Sequence, residues 1–490
     1  MIKRGEEFLL FWEKIRGWLG RQAAGENAEP ASDVRRLEKE IAAWQGSPER
    51  IFQLKGHLYY AGEQDILQRR RTAIGEGGAL EPVDNLPNNR VVDNQYAKLV
   101  NQKANYLLGQ PLVVESQNGR YAELLGQLLD RRFMRTLKNA GKAALNGGIA
   151  WLYPCISPEG LRFRLIPAYE ILPFWQDGEH SRLDCAVRLY QVWVWESGRR
   201  VLRERAEVYT RQGVQRYLWQ NGGLKPLDKQ PTAYVTDGQN AYNWQRLPLI
   251  PLKYNESETP LLRRVKSLQD GINAMLSDFE NNMQEDARNT ILVIKNYDGQ
   301  NLGEFRRNLA TYGAVKVRYD GDTKGGVETL EINVNAGNYQ VILELLKKAL
   351  IENGLGFDAK DDRLAGNPNQ MNIQSMYSDI DLDANDWETE LQAAFADILW
   401  FACAYLAAAG QGDFFGEQVN IIFNRDMLMD ESNIIANCRQ SVGILSDETI
   451  IGQHPWVDDV QKELARLAKQ RQSEQAAEYA PFDEGGENET

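Results

Sequence analysis

The chain has 490 residues, 43% of them hydrophobic and 26% charged, with a formal net charge of −13 at pH 7. That length carries more than one domain, and the composition is ordinary for a folded globular protein. The acidic balance excludes a sequence-reading DNA binder, which needs a basic footprint, but not a wall that DNA slides past without sticking.

Several chemistries are missing. Cys155, Cys185, Cys403 and Cys438 form no CxxC pair, which fits a reducing compartment. There is no GxxxxGK[ST] phosphate loop, no HExxH and no GxSxG elbow, and His57, His180 and His454 stand apart in sequence. No catalytic residue, metal ligand or cofactor is therefore expected. The run ILWFACAYLAAAG is short of a membrane span, and charges interrupt the aromatics of MIKRGEEFLLFWEKIRGWLG, so neither a membrane segment nor a secretory leader is expected.

In chain order, Phe8, Phe11, Trp12, Ile15 and Leu19 share one face of a short N-terminal helix. Residues 33–45 read as an exposed helix and 57–71 as another. VVDNQYAKLVNQKANYLLG reads as a helix ended by Gly109 and Pro111, with Lys98 and Lys103 on a solvated face. From Gly148 to about Tyr254 the period changes to two, with turns SPEG, QDGEH, ESGRR and QNGG, so an antiparallel sheet region is expected. Trp151, Trp175, Trp193, Trp195, Trp219 and Trp244 alternate there with arginine and glutamate and read as core.

Next comes the helix that organises the chain. Leu261, Val265, Leu268, Ile272, Met275 and Phe279 recur at alternating steps of four and three, forming one apolar seam. Ser257 or Thr259 can cap its start, and Pro260 suits the first turn. Residues 290–334 read as strand, helix, strand, strand. A second helix, QVILELLKKALIENG, leads into a polar loop, FDAKDDRLAGNPNQMN. A long helix ending DILWFACAYLAA follows. VNIIFNRDM is strand-like, ESNIIANCRQSVGIL and ETIIGQ are helices, residues 459–475 a charged helix, and the acidic tail is expected to be disordered.

Five collinear stretches carry a family resemblance. They are NNRVVDNQYAKLVNQKANYLLGQP, the IPLKYNESETPLL run with VKSLQDGINAMLSDFENNMQ, LGEFRRNLATYGAVKV, the loop with NIQSMYSDIDLD, and IIFNRDMLMDESNIIANCRQSVGILSDETIIGQHPWVDD. Together they resemble the portal proteins of tailed bacteriophages, the type found in siphophages of Gram-positive hosts, over residues 50 to 465.

The resemblance implies an α+β portal fold. Its parts would be N-terminal helices (1–50), a wing that is helical and then antiparallel β (51–250), a first stem helix (257–289), a clip (290–334), a second stem helix (336–356), a tunnel loop (357–369), a long tunnel helix (370–409), a helical crown (410–470) and the acidic tail (471–490). The seam residues named above become the stem packing. Asn273, Ser277, Glu280, Asn281 and Gln284, opposite the seam, become candidates for lining the channel. Phe357, Asp358, Lys360, Asp361, Asp362, Arg363, Asn367 and Asn369 become the tunnel loop, with Lys360 and Arg363 for transient phosphate contact.

Implied partners are copies of the chain in a ring, a dodecamer or a 13-mer in isolation, and double-stranded DNA passing non-specifically. The terminase large subunit, a head-completion adaptor, and capsid and scaffold proteins complete the set. The implied place is the virion's capsid vertex, after the host cytoplasm. Two other classes stay open: a metal-dependent DNA-processing enzyme using Asp358, Asp361 and Asp362, and a capsid or scaffold shell protein.

Overall fold

A computed structural model of the chain describes residues 34–74, 78–83, 86–236, 240–286, 291–295, 303, 319–320, 323–324, 326–330, 336–358, 370–425, 431–457 and 460–478. The architecture is α+β, in two units. One comprises Met1–Gly356 with Leu382–Arg425, the other Phe357–Asp381 with Asp426–Thr490.

The first unit opens with α1 (Val34–Gln45) and α2 (Pro48–Ala61). Leu37 and Ile41, one helical turn apart, are fully buried, so α1 is not the exposed helix its charged composition suggested. Ser47 caps α2 by accepting the Arg50 N–H at 3.2 Å, and Gly62, at φ 90°, ends it. The helix expected over 57–71 is therefore cut at Ala61, and only a single 3-10 turn, Asp65–Gln68, follows. Residues 91–94 are not helical either: α3 spans Gln95–Leu108, with Asn94 capping it through the Ala97 N–H at 3.0 Å.

Helices α4 (Gly119–Leu128) and α5 (Arg131–Gly147) lead into the β region. Its strands are β1 (Ile149–Ser157), β2 (Gly160–Pro167), β3 (Ile171–Trp175), β4 (Leu183–Glu196), β5 (Arg199–Thr210), β6 (Gly213–Gln220), β7 (Gly223–Pro226) and β8 (Ile250–Lys253). Two antiparallel sheets form, in the orders β7-β6-β5-β4-β3 and β8-β1-β2. Strand alternation decides which face each side chain takes. Val187 and Val208 pack with Leu37 and Ile41 of α1. Their neighbours Ala186 and Tyr209 point the other way and pack with Trp151, Ile166 and Leu249.

The core reading of the tryptophans holds for Trp151, Trp219 and Trp244, which are buried, and fails for Trp193 and Trp195, which are 54% and 76% exposed. The cause is strand length. β3 pairs with β4 only as far as Arg188, and β6 with β5 only from Glu204 onward. The outer parts of β4 and β5 run on as a two-stranded ribbon, with no further strand paired to it among the described residues.

Gly148, at φ 79°, turns the chain from α5 into β1 where the Glu258 carbonyl oxygen lies 1.9 Å from the place a Cβ would occupy. Beyond it come α6 (Leu262–Asp286) and α7 (Ala336–Asn353). Between them Ile291–Lys295 pairs antiparallel with Gly326–Leu330. Most of the helix expected in this insert lies outside the described residues. Ser257 and Thr259 bond to Asn255 and to each other in the turn before α6.

In α8 (Gln370–Ala408), Trp387, Leu391, Phe395, Ile398 and Ala402 are buried at steps of three and four. This core stripe supplies much of the apolarity that makes Gln374–Ala408 long and apolar enough, by composition, to cross a bilayer. The expected strand near 419 pairs Val419–Ile422 antiparallel with Val113–Ser116.

The second unit holds α9 (Glu431–Gln440), α10 (Asp447–Gly452) and α11 (Val460–Glu478). Ser446 caps α10 through the Thr449 N–H, and Arg471 of α11 pairs with Asp447 at 3.2 Å. α11 continues through Glu478, so the first part of the tail expected to be disordered is helical. Residues 479–490 lie outside the described residues.

Candidate functional site

The α6–α7 pair is the centre of the molecule's distinctive geometry. The apolar seam of α6 faces its own chain. Leu261, Val265 and Ile272 are buried, and Leu268, Met275 and Phe279 are partly buried. Phe279 lies 5.1 Å from the Tyr339 ring of α7, beside a groove also lined by Met275, Leu276 and Leu343. Gly271 leaves room for Leu346. The seam is thus covered by the second helix of the same chain.

The face opposite the seam corrects the sequence reading. Gln269, Asn273 and Ser277 are 0% exposed and Asn281 is 4% exposed. They form a polar ladder along which residues 89–96 run in the opposite direction. Asn281 Oδ1 accepts the Asn89 N–H at 2.7 Å, and Ser277 Oγ that of Val91 at 3.0 Å. Asn273 Oδ1 accepts that of Asp93 at 3.0 Å, and Gln269 Oε1 that of Tyr96 at 2.9 Å. Gln269 Nε2 returns a bond to the Asp93 carbonyl at 2.8 Å.

The spacing explains the fit. Four residues of helix rise about 6 Å, and two residues of extended chain span about 6.6 Å, so the alternate amides of Asn89, Val91 and Asp93 meet successive turns. The last step, to Tyr96, is three residues because the chain has entered α3. Asn273, Ser277 and Asn281 therefore do not line a channel: their hydrogen-bonding groups hold this strap. Glu280 and Gln284, from the same candidate set, are exposed.

Charged pairs fasten the flanks of the strap. Lys347 of α7 meets Asp93 at 2.7 Å, and Arg69 meets Asp278 at 2.8 Å. Lys266 bridges Asp65 (2.8 Å) and Asp270 (2.6 Å), and Tyr59 donates to Asp270 at 2.7 Å. Partial burial acts to raise the Asp65 carboxyl, but its bonds to Lys266 and Lys55 outweigh that and bring it down to about 2. For Lys266 burial acts downward, and the bonds to Asp270 and Asp65 outweigh it, so the ammonium is held well above its usual range.

A second cluster sits where α7 ends. Lys103, expected on a solvated face, is 2% exposed. Its Nζ donates to Asp383 Oδ2 of α8 at 2.7 Å and to the Leu355 carbonyl at 2.9 Å. Tyr254 donates to the other Asp383 oxygen at 2.7 Å, and Arg264 lies 3.5 Å from it. Burial, with the Asp383 charge beside it, pushes the Tyr254 phenol far up. Leu355 has φ 51°, and Gly354 and Gly356 press so closely on Leu99 that a Cβ on either would lie 2.4–2.5 Å from its methyls. One ammonium thus ties the turn just before the polar loop to the long helix after it.

Of the loop candidates, Phe357 stacks on Tyr377 at 4.3 Å and Asp358 is partly buried. Lys360, Asp361, Asp362, Arg363, Asn367 and Asn369 lie outside the described residues. Among the described residues no cluster of three or more histidine, cysteine or acidic side chains could hold a metal ion. The missed signal was legible as Gln269-x3-Asn273-x3-Ser277-x3-Asn281: amides and a hydroxyl, with no full charge, at one position per turn.

The family model described as phage portal protein, SPP1 Gp6-like, matches residues 43–477. The portal protein of Bacillus phage SPP1 is 30% identical over 485 residues, covering 95% of this chain and 92% of that protein. The portal protein of Clostridium phage phiCD119 is 25% identical over 444 residues, covering 88% of this chain and 94% of its own length.

Proposed function

Because the chain belongs to the SPP1 Gp6-like family of phage portal proteins, we propose how its parts divide the work of a DNA channel at one vertex of the capsid. A portal is a structural component of the virion, a homo-oligomeric ring through which the genome passes in packaging and ejection. The observation that carries this is the family match, continuous from residue 43 to 477.

The finer assignment follows the stretches of the fold. The sheets within 51–250 are the wing facing capsid and scaffold. Residues 257–289 and 336–356 are the stem, 290–334 the clip that meets the terminase large subunit and later the adaptor, 357–369 the tunnel loop, 370–409 the tunnel helix, and 410–470 the crown. Exposed Val341 and Leu345, one turn apart on α7, support a stem packed against neighbouring protomers. A heterologous contact that closes gives a ring, and here the number is twelve, or thirteen in isolation.

DNA is held sterically. A dodecamer of chains at −13 each has a formal net charge of about −156, which repels phosphates and keeps them from sticking. Exposed Glu280 and Gln284 remain the lining residues of α6. Lys360 and Arg363 are the groups for passing phosphate contact.

Native mass spectrometry with negative-stain imaging tests the reading. A closed ring near twelve or thirteen protomers with a central hole is expected, with no divalent-dependent DNA cleavage. A small oligomer that cuts DNA with magnesium, and loses that activity in Asp358→Ala, would overturn it.

A further inference from the structure

Helix α5, RRFMRTLKNAGKAALNG, carries five cations and no carboxylate. Arg131, Arg135, Lys138 and Lys142 recur at steps of four, three and four, so they share about 60° of the helix surface in a row about 16 Å long. Phe133, Leu137, Ala140 and Ala144 are buried on the opposite side. No carboxylate among the described residues pairs with Arg131, Arg135 or Lys138. Lys142 turns its ammonium to the Tyr60 hydroxyl, 3.4 Å away. The acids at the helix start are already committed. Asp130 accepts the Phe133 N–H at 2.9 Å and the Arg162 guanidinium at 3.0 Å, and Glu159 pairs with Arg132 and Arg162.

A face that is only solvated is composed differently. It mixes signs and gains from opposite charges one turn apart, and a helix start favours carboxylates. Here like charges stand one turn apart, and the first turn holds Arg131 and Arg132 with no acid. Each is a small local cost that no contact among the described residues offsets.

The surroundings decide which polyanion fits. A protein partner needs an apolar or aromatic anchor. Of the large apolar side chains of α5, only Met134 is even partly exposed. What flanks the row is polar and uncharged. Gln110 lies in an open groove of about 670 Å³, floored by buried Leu108 and Leu129, that Arg131, Arg135 and Lys138 also line. Asn101 accepts from the same Tyr60 hydroxyl at 2.9 Å. Guanidinium and ammonium groups with amides beside them are the donors that meet phosphate oxygens. A row about 16 Å long spans about five phosphates of one strand.

We infer that this row is a contact for the backbone of duplex DNA, one strand lying along α5 with its phosphates on Arg131, Arg135, Lys138 and Lys142. DNA is the polyanion that the portal reading brings to the chain, so the inference rests on that reading. The net charge of −13 repels the duplex as a whole. The hold is therefore local, independent of sequence and released by salt. It adds one place of grip to a channel that otherwise holds DNA by shape.

The test is binding of a fluorescent duplex of mixed sequence to the full chain as salt is varied, with particle mass recorded in parallel. Each phosphate contact steepens the fall of log affinity with log salt by about 0.9. Arg131→Gln with Arg135→Gln and Lys138→Gln should make that slope shallower by about 2.7 and weaken binding at least ~10-fold at about 50 mM salt. Arg135→Gln alone should make it shallower by about 0.9, which keeps the test decisive if the triple variant folds poorly. Arg182→Gln with Arg211→Gln and Lys229→Gln removes the same charge from exposed positions outside the row and should leave the slope unchanged.

Equal weakening by the two triple variants would make the effect one of net charge and overturn the row. So would failure of the unvaried chain to bind duplex at about 50 mM salt. Tighter binding of polyglutamate than of duplex, lost in the row variant, would assign the face to an acidic protein segment and also overturn it. Each of these outcomes in a chain that forms closed rings leaves the portal reading standing. A chain that forms no ring at any concentration overturns the portal reading, whatever the duplex slopes are.

Discussion

Replacing Asn273 with leucine separates a strap-holding residue from a channel-lining one. Leucine has nearly the same volume and no hydrogen-bonding group. The change removes the acceptor of the Asp93 N–H and of Gln269 Nε2, both at 3.0 Å, and the donor to Gln64 Oε1. Each orphaned buried group costs about 1–3 kcal/mol, and partial relaxation brings the total to about 3–6 kcal/mol. Much of that loss falls on local opening of the strap, since 89–93 is held largely by side chains of α6. At about 1.4 kcal/mol per factor of ten, the Val91 and Asp93 amides should exchange with solvent at least ~100-fold faster. Hydrogen–deuterium exchange resolved to peptides within 86–97 measures this directly. Ser277→Ala, which orphans one amide and opens a small gap, should have a smaller effect in the same place. Gln284→Ala, on the exposed end of the helix, should change exchange by nothing measurable. If Asn273→Leu and Gln284→Ala protect the strap equally, the ladder does not hold it and the reasoning fails.

Lys103→Met should cost about 3–5 kcal/mol by leaving the Asp383 carboxylate buried without its ammonium. Lys103→Met with Asp383→Asn should recover part of that loss in thermal melts, since the amide oxygen so introduced still accepts from Tyr254 and carries no charge to be stranded. Gly148→Ala should cost about 3–4 kcal/mol, read as loss of folded protein in expression and melting, because a Cβ there meets the Glu258 carbonyl at positive φ. Burial lowers His57 to about 4 from an ordinary 6.5. The unfolded ring takes a proton below about 6.5, whereas the folded one takes it only below about 4. Stability is thus complete above that window and falls by on the order of 3 kcal/mol as pH drops through it. His57→Gln should flatten that part of a urea-stability profile against pH.

The period-two stretch from Gly148 to Tyr254 announced its sheets because each strand contains its own alternation. The seam of α6 was legible for the same reason: the six residues from Leu261 to Phe279 need no distant information to define a face. The opposite face was misread because polarity at one position per turn looks alike under water and under a strap. What covers Asn273 lies 180 residues away, and no local pattern reports it. Lys103 failed in the same way, since its partner is in α8, 280 residues on. α1 was read as exposed from its charges, although Leu37 and Ile41 sufficed to bury one stripe. Trp193 and Trp195 share the alternation of buried Trp219. They differ in where the neighbouring strands stop, which is a fact of sheet topology.

The strap behaves as a slide rule laid against a helix. Removing one residue between Asn89 and Asp93 would turn the amides that now face the ladder toward solvent and bring in those that face away. Removing two would restore the facing but shift each remaining amide by one helical turn, onto the acceptor that served its neighbour. Val91 and Val92 differ in which amide faces the ladder, not in the side chains that would be exchanged. In this part of the chain the length is fixed and the lettering is comparatively free. A chimaera that joins the segment before Gln95 from one relative to the counterpart of α6 from another should therefore succeed or fail on residue count before it does so on similarity.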